Sequence, residues 1–490
     1  MTTEQSSYRQ IFKATSIFGG VQVFNIIITI IRTKIVAVLL GPAGMGVNGL
    51  LTATTGMVTS LTGFGLGTSA VKNVAAAHAT GDTIRIATVV GVMRKAVWIT
   101  GLLGALVTLI LSPWLSELTF QNRDYTLAFA WVSVSLLFNQ IASGENVLLQ
   151  GTRQLKYMAQ ASLAGSVMGL LVSVPIYYRW GIDGIVPAII VSSVVALVIS
   201  RFFSRKVKTL NVAVNRKTFV NESKGMFAMG FMLSLNGIIT LAVSYIVKIF
   251  ISNIGGVEQV GLYTAGFAII NTYVGMIFTA MSADYYPRLS GVAHDNKKAS
   301  ELINQQGEMA ILIMGPVLTV FIIFIQYVII ILYSPEFTAV NGMVQWAALG
   351  MLFRAASWAI AFIMLAKGAS RLFFWNELVA NAYVLGLNIL GYHLAGLTGL
   401  GISFLAAYLL YFAQVFFLTK HKFGFFLQPG YVKIFSLHLL LCIASFLIIR
   451  FVPAPMAYFA GVIIAALAAA ISIRGLDKRL NIKTFYSKQK

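Results

Sequence analysis

The stretch Asn25-Ile-Ile-Ile-Thr-Ile-Ile-Arg-Thr-Lys-Ile-Val-Ala-Val-Leu-Leu-Gly41 decides the fold class. It ends an apolar run that begins near Ala14, and its only charges are Arg32 and Lys34. A run this long is a helix of membrane-spanning length, since about 20 residues cross the hydrocarbon core. A barrel strand would be about ten residues long and would alternate polar with apolar; this run does not alternate. It is also too long for the apolar core of a cleavable leader and lacks a small-residue cleavage pattern, so it reads as an uncleaved first span.

The rest of the chain extends the same reading. Of its 490 residues, 58% are hydrophobic and 10% are charged, whereas soluble chains carry about 25% charged residues. Bilayer is the only solvent that suits so much apolar surface, and in bilayer the backbone must be helical or a closed barrel. Further apolar runs follow at 47–69, 89–112, 126–150, 157–178, 183–204, 226–252, 260–283, 308–333, 339–366, 372–392, 397–419, 432–451 and 455–473. The expected fold is an all-α polytopic membrane protein with about 14 transmembrane helices.

Charge placement orients it. Lys and Arg crowd the even-numbered connections and both ends, most densely in the sixth connection with Arg201, Arg205, Lys206, Lys208, Arg216, Lys217 and Lys224. The odd-numbered connections hold only Arg123, Arg179 and Arg450. Basic residues mark cytoplasmic loops, so both termini are expected in the cytoplasm. The net charge of +21 is then a topological signal and not a nucleic-acid footprint. The single cysteine, Cys442, lies in an apolar run and reads as a buried small hydrophobe.

The chain also repeats. Lys34 to Gly41 and Gly46 matches Lys248 to Gly255 and Gly261; Gly151-Thr-Arg-Gln-Leu155 matches Gly368-Ala-Ser-Arg-Leu372; Gly181-Ile-Asp-Gly184 matches Gly396-Leu-Thr-Gly399. The near-constant offset predicts two pseudo-symmetric six-helix lobes of parallel orientation, residues 1–210 and 225–425, joined by a cytoplasmic linker at 211–224. Residues 426–490 add a helix pair and a basic tail. Transporters with such halves place the substrate path between them.

Charges inside spans are costly and face protein or water. Gln22, Asn25, Thr29 and Arg32 share one helical face. Lys34 points roughly the opposite way, so Arg32 and Lys34 both face the substrate cavity only if their long stems bend; otherwise one of them reaches the outer interface. Lys248 is the repeat partner of Lys34, and Arg354 lies near mid-span, facing a cavity or a partner such as Glu377 or a backbone carbonyl. Span four carries Asn139, Gln140 and Glu145; the carboxylate either couples to an ion or pairs with Arg153 or Lys156. Asn271, Asn376, Asn381 and Asn388 are accounted for by hydrogen bonds between helices. The innermost charges are cationic, which suits phosphate or carboxylate groups in a substrate. No phosphate-binding loop, paired carboxylates or His/Cys metal spacing is present, and the short odd-numbered loops leave no room for a catalytic module, so the chain does not read as an enzyme.

The stretch from Lys34 to Gly46, the segment Tyr333-Ser-Pro-Glu-Phe-Thr-Ala, the run Ala366-Lys-Gly-Ala-Ser-Arg-Leu-Phe-Phe with Glu377, and Tyr286-Pro-Arg-Leu-Ser290 resemble bacterial O-antigen translocases. These are the Wzx-type lipid-linked oligosaccharide flippases of the multidrug/oligosaccharidyl-lipid/polysaccharide exporter superfamily. The resemblance covers most of residues 10–425. It implies two lobes in a V around a central cavity in the bacterial inner membrane. It implies transfer of an undecaprenyl-diphosphate-linked oligosaccharide to the periplasmic leaflet, coupled to an H+ or Na+ gradient and needing no bound cofactor. It also implies an O-antigen polymerase and a chain-length regulator as partners. Lys34, Lys248 and Glu377 match the family's basic and acidic span positions. Three rivals stay open: a peptidoglycan lipid II-type flippase, a drug or cation exporter of the same superfamily, and a membrane glycosyltransferase or polymerase.

Overall fold

The computed structural model describes residues 3–480 apart from 208 and 211, with side chains from residue 24 onward except at 273, 276, 279, 280, 283, 284 and 480. The side chain of Gln22, residue Lys208 and the basic tail beyond residue 480 lie outside the described residues. The described residues are almost entirely helical: α1 (Thr3–Thr62), α2 (Leu66–Ala79), α3 (Thr83–Ile110), α4 (Ser112–Phe120), α5 (Thr126–Gly151), α6 (Leu155–Trp180), α7 (Ile185–Ser204), α8 (Arg216–Ala268), α9 (Met276–Val292), α10 (Asn296–Leu332), α11 (Asn341–Ala366), α12 (Ser370–Phe423), α13 (Pro429–Phe451) and α14 (Met456–Leu480). Counted without their breaks, ten described helices are long and apolar enough to cross a membrane.

The longest of these are broken where the sequence places a connection. The helix α1 breaks at Gly41 (φ 61°), α8 at Gly256 (φ 82°), and α12 at Ala395 and Gly396 (φ 56°). A single turn, Gly181–Gly184, separates α6 from α7. Positive φ at the breaks is the region where a Cβ is penalised and glycine is not. Gly41 pairs with Gly256 and Gly181 with Gly396 at one offset, so the repeat is written into the backbone as well as the side chains. The register expected from Lys34 and Lys248 is therefore corrected by one residue. The left-handed glycine after Lys248 is Gly256, not Gly255. Measured from its break, Lys248 is rotated about 100° around its helix relative to Lys34.

The chain divides into two compact units, Met1–Gly261 and Leu262–Lys490. Span seven, which the repeat assigns to the second half, thus lies within the first unit. There, α5 packs on α2, α3 and α7, α7 on α6, and α6 on α1. The core holds Val74, Met93, Val97 and Leu148, all nearly inaccessible. Small residues set the approach, as expected where lipid removes the hydrophobic drive between helices: a Cβ on Gly151 would lie 2.6 Å from Val74, and one on Gly144 would lie 3.0 Å from Val97. The two repeat-matched glycines also lie against each other's turns. A Cβ on Gly46 would fall 1.9 Å from the Val257 carbonyl oxygen, and one on Gly261 would fall 1.8 Å from that of Pro42.

In the second unit α11 packs on α10 and α12, while α13 and α14 both dock on α10. That answers where the extra pair goes. The ring of His438 lies against Gly315, and its Nε2 meets Ser472 Oγ at 2.9 Å. Arg479 on α14 pairs with Glu308 on α10 at 2.7 Å. Cys442 is fully buried, as its apolar run requires. Asp82 and Asp295 cap α3 and α10, each accepting from two backbone N–H groups of the first turn. For Asp295, which stands outside the spans, the Lys298 and Lys297 N–H groups hold the carboxyl below its ordinary range.

Candidate functional site

Arg354, half-buried in α11, is the most fully built of the intramembrane cations. Its guanidinium donates to Asn271 Oδ1 at 2.6 Å. It lies between two aromatic rings, Phe278 at 5.6 Å and Tyr408 at 5.4 Å, with Met351 Sδ 3.8 Å away. Asn271 sits in a widened π-helical turn, Ile269–Val274, between α8 and α9. Such turns displace a side chain from the regular helical face and cluster at functional sites. No carboxylate among the described residues pairs with Arg354, so it keeps its full charge, steadied by neutral and π-face contacts. Of the partners the sequence offered, neither Glu377 nor a backbone carbonyl bonds it. The partner is an asparagine read only as helix–helix glue.

Glu377 belongs to another network. Its Oε1 accepts from the Tyr411 hydroxyl and, at 3.1 Å, from Asn376 Nδ2; Gln414 donates to Asn376 Oδ1 at 2.9 Å. These groups tie the two arms of the broken α12 together. The carboxylate is half-buried and faces no cation among its hydrogen-bond partners.

In the first unit, the polar face of α1 meets α6. Asn25 donates to Ser162 at 2.8 Å and accepts from Ser166 at 2.9 Å. Arg32 is hydrogen-bonded to the buried Tyr177 hydroxyl. Arg32 is thus the second guanidinium held by a neutral partner. Lys34 is half-buried; Lys248 is half-buried as well, with no hydrogen bond or ion pair among the described residues. Gln140 is buried and donates to Thr100 at 3.0 Å, and it lines a cleft of about 370 Å3 with Thr59, Ser60 and Ser234. Asn139, its neighbour, is exposed.

Glu145 pairs with Arg94 of α3 at 3.1 Å, with the carboxylate side chain 8% exposed. Neither Arg153 nor Lys156 is the partner. Arg94 lies just inside the apolar run 89–112, and that place was the signal in the sequence that it turns inward. The structure brings Asn25 and Arg32 to one helix interface and Arg354 to Asn271. Glu145, Gln140 and Glu377 sit in three separate settings. In the described residues no group of His, Cys, Asp and Glu is arranged to hold a metal ion.

Comparison with known proteins sets this geometry in context. The Escherichia coli (strain K12) protein named lipid III flippase is 24% identical over 405 residues, which is 79% of this chain and 94% of that one. The solved lipid II flippase MurJ, in an inward closed conformation, superposes with a TM-score of 0.69 at 12% identity, covering 94% of this chain and 99% of its own. An inward-facing multidrug resistance MATE family transporter of the MOP superfamily gives 0.70 at 14% identity, over 84% and 96%. At such identities the solved structures speak for the fold, and the fold is that of MOP superfamily transporters. A family model described as polysaccharide biosynthesis protein matches residues 35–341, more than half of the chain. The chain belongs to the polysaccharide biosynthesis protein family.

Proposed function

We propose that this multi-pass membrane protein is a flippase for an undecaprenyl-diphosphate-linked oligosaccharide, an O-antigen repeat unit or similar, moving it from the cytoplasmic to the periplasmic leaflet of a bacterial inner membrane. The observation that carries this reading is Arg354, an intramembrane guanidinium whose hydrogen-bond partner is the neutral Asn271. A diphosphate cannot enter hydrocarbon unaided. A cation that is desolvated but not neutralised offsets that cost and donates in the forked geometry that phosphate oxygens accept. An exporter of cationic drugs would want carboxylates in that place. The relatives named as lipid III and lipid II flippases support the substrate class.

Movement by alternating access, driven by an H+ or Na+ gradient, completes the proposal, with Glu377 and Glu145 as the carboxylates to examine first. Delivery of the flipped unit to a polymerase and chain-length regulator belongs to the same reading, as do fourteen spans with both ends in the cytoplasm. Deleting the gene tests the central claim. Undecaprenyl-linked repeat units should accumulate facing the cytoplasm; loss of their synthesis would point to an enzyme instead, and an unchanged pool would reject both.

A further inference from the structure

A second cationic site lies within the first unit. Arg94, Arg201 and Arg205 line one cleft of about 320 Å3 together with Trp98 and Glu145. A neighbouring cleft of about 470 Å3 shares Arg94 and Trp98 and adds Lys95 and Arg216. Two of these five basic groups are already committed: Arg94 to Glu145 and Lys95 to the Val214 backbone carbonyl, which ties the linker down beside α3. Arg94 still has its Nε–H buried without a partner. Arg201, Arg205 and Arg216 are exposed, with no carboxylate among their described contacts. Basic residues that only set topology can spread into water. Here the linker, α3 and the end of α7 gather three guanidiniums that no carboxylate neutralises around two adjoining clefts that share Arg94 and Trp98, which is a cost unless an anion occupies them.

The surroundings say what kind of anion. Trp98 is 46% exposed, and on the same two helices, α3 and α7, lie the exposed apolar side chains Ile99, Leu102, Val198 and Phe202. Exposed Trp with Arg and Lys is the signature of the headgroup zone of a bilayer, and the apolar residues beside it face lipid chains. The ligand is therefore amphipathic, with phosphate in the clefts and an aliphatic tail along α3 and α7.

We propose that these two adjoining clefts, one lined by Arg94, Trp98, Arg201 and Arg205 and the other by Arg94, Trp98 and Arg216, together bind the phosphate group of an anionic membrane lipid on the face assigned to the cytoplasm, with the Arg94–Glu145 pair between them. Phosphate on an aliphatic tail is common to a bulk phospholipid and to a prenyl phosphate, and the test separates them.

The full-length protein in detergent is titrated with phosphatidylglycerol, undecaprenyl phosphate, phosphatidylethanolamine and inorganic pyrophosphate, with binding read by native mass spectrometry. The variant Arg201→Gln/Arg205→Gln/Arg216→Gln is compared with a charge-matched control, Arg371→Gln/Lys420→Gln/Lys422→Gln, after circular dichroism shows that both are folded. Loss of three charge-assisted contacts should weaken lipid phosphate binding by about tenfold or more, with the control unchanged. Preference for phosphatidylglycerol identifies a bulk lipid and preference for undecaprenyl phosphate a prenyl lipid; either supports the site. Equal weakening in the control, equal binding of phosphatidylethanolamine, or binding of pyrophosphate alone overturns it. The readout is binding, not translocation, so its failure leaves the flippase reading standing, and the reverse.

Discussion

Arg354 in the second unit and Arg94 in the first are both guanidiniums inside apolar helices, held in opposite ways. Arg94 meets the carboxylate of Glu145 at 3.1 Å and is cancelled by it. Arg354 meets the amide oxygen of Asn271 at 2.6 Å, between two aromatic faces, and is not cancelled. The lesson is that an intramembrane charge is informative through its partner. A carboxylate partner makes a neutral structural pair, whereas an amide or hydroxyl partner orients the cation and leaves its charge for a passing anion. Arg32, bonded to Tyr177, falls on the side of Arg354.

The comparison breaks first at Arg354. Arg354→Ala should cut surface polysaccharide by about tenfold or more, the value of one or two charge-assisted hydrogen bonds, while membrane levels on immunoblot stay normal. Asn271→Ala should retain more activity than Arg354→Ala, because it leaves the charge in place. If the two are equally defective, orientation matters as much as charge.

Arg94→Ala tests the other half. Removing the partly exposed arginine strands the buried Glu145 carboxylate, a loss of about 2 kcal/mol, read as a lower melting temperature in detergent. Adding Glu145→Gln should recover most of it. Recovery of stability without full activity would give Glu145 a role in ion coupling beyond pairing.

Next comes the repeat itself. Gly46→Ala or Gly261→Ala places a Cβ under 2 Å from a carbonyl oxygen, and overpacking of this kind costs about 2 kcal/mol. The two substitutions should destabilise alike, because Gly46 stands against Val257 as Gly261 stands against Pro42. Unequal melts would mean that the two turns have diverged.

The smallest effect is at the cap of α10. The Asp295 carboxyl is held below its ordinary range by the N–H groups of Lys298 and Lys297, so its contribution is full above the unfolded pKa, about 3.9. It is lost as pH falls through the lower folded value. Asp295→Ala should speed amide exchange at those two residues near neutral pH and make no difference in strong acid.

Much of this was legible in the residues because helices in lipid are a local matter. A run such as Asn25–Gly41 needs no distant partner to satisfy its backbone, so the helices and the breaks at Gly41, Gly181 and Gly396 follow from apolar length and glycine placement. The register of Lys248 was misjudged because adjacent glycines, Gly255 and Gly256, are indistinguishable until one of them takes a positive φ.

Partners were another matter. Pairing Glu145 with Arg153 or Lys156 is the local guess, and the actual partner, Arg94, arrives from a different helix. Asn271 reaches Arg354 only because a widened turn and a separate helix converge. The docking of α13 and α14 on α10 likewise depends on glycines at 307, 315, 461 and 475 meeting side chains far along the chain. Sequence alone determined what had to be buried in lipid, since that is decided residue by residue through the cost of solvating apolar groups and bare backbone. Tertiary structure decided which charges are spent on each other and which remain free, because an electrostatic pair is a matter of a few ångströms between helices and has no local signature.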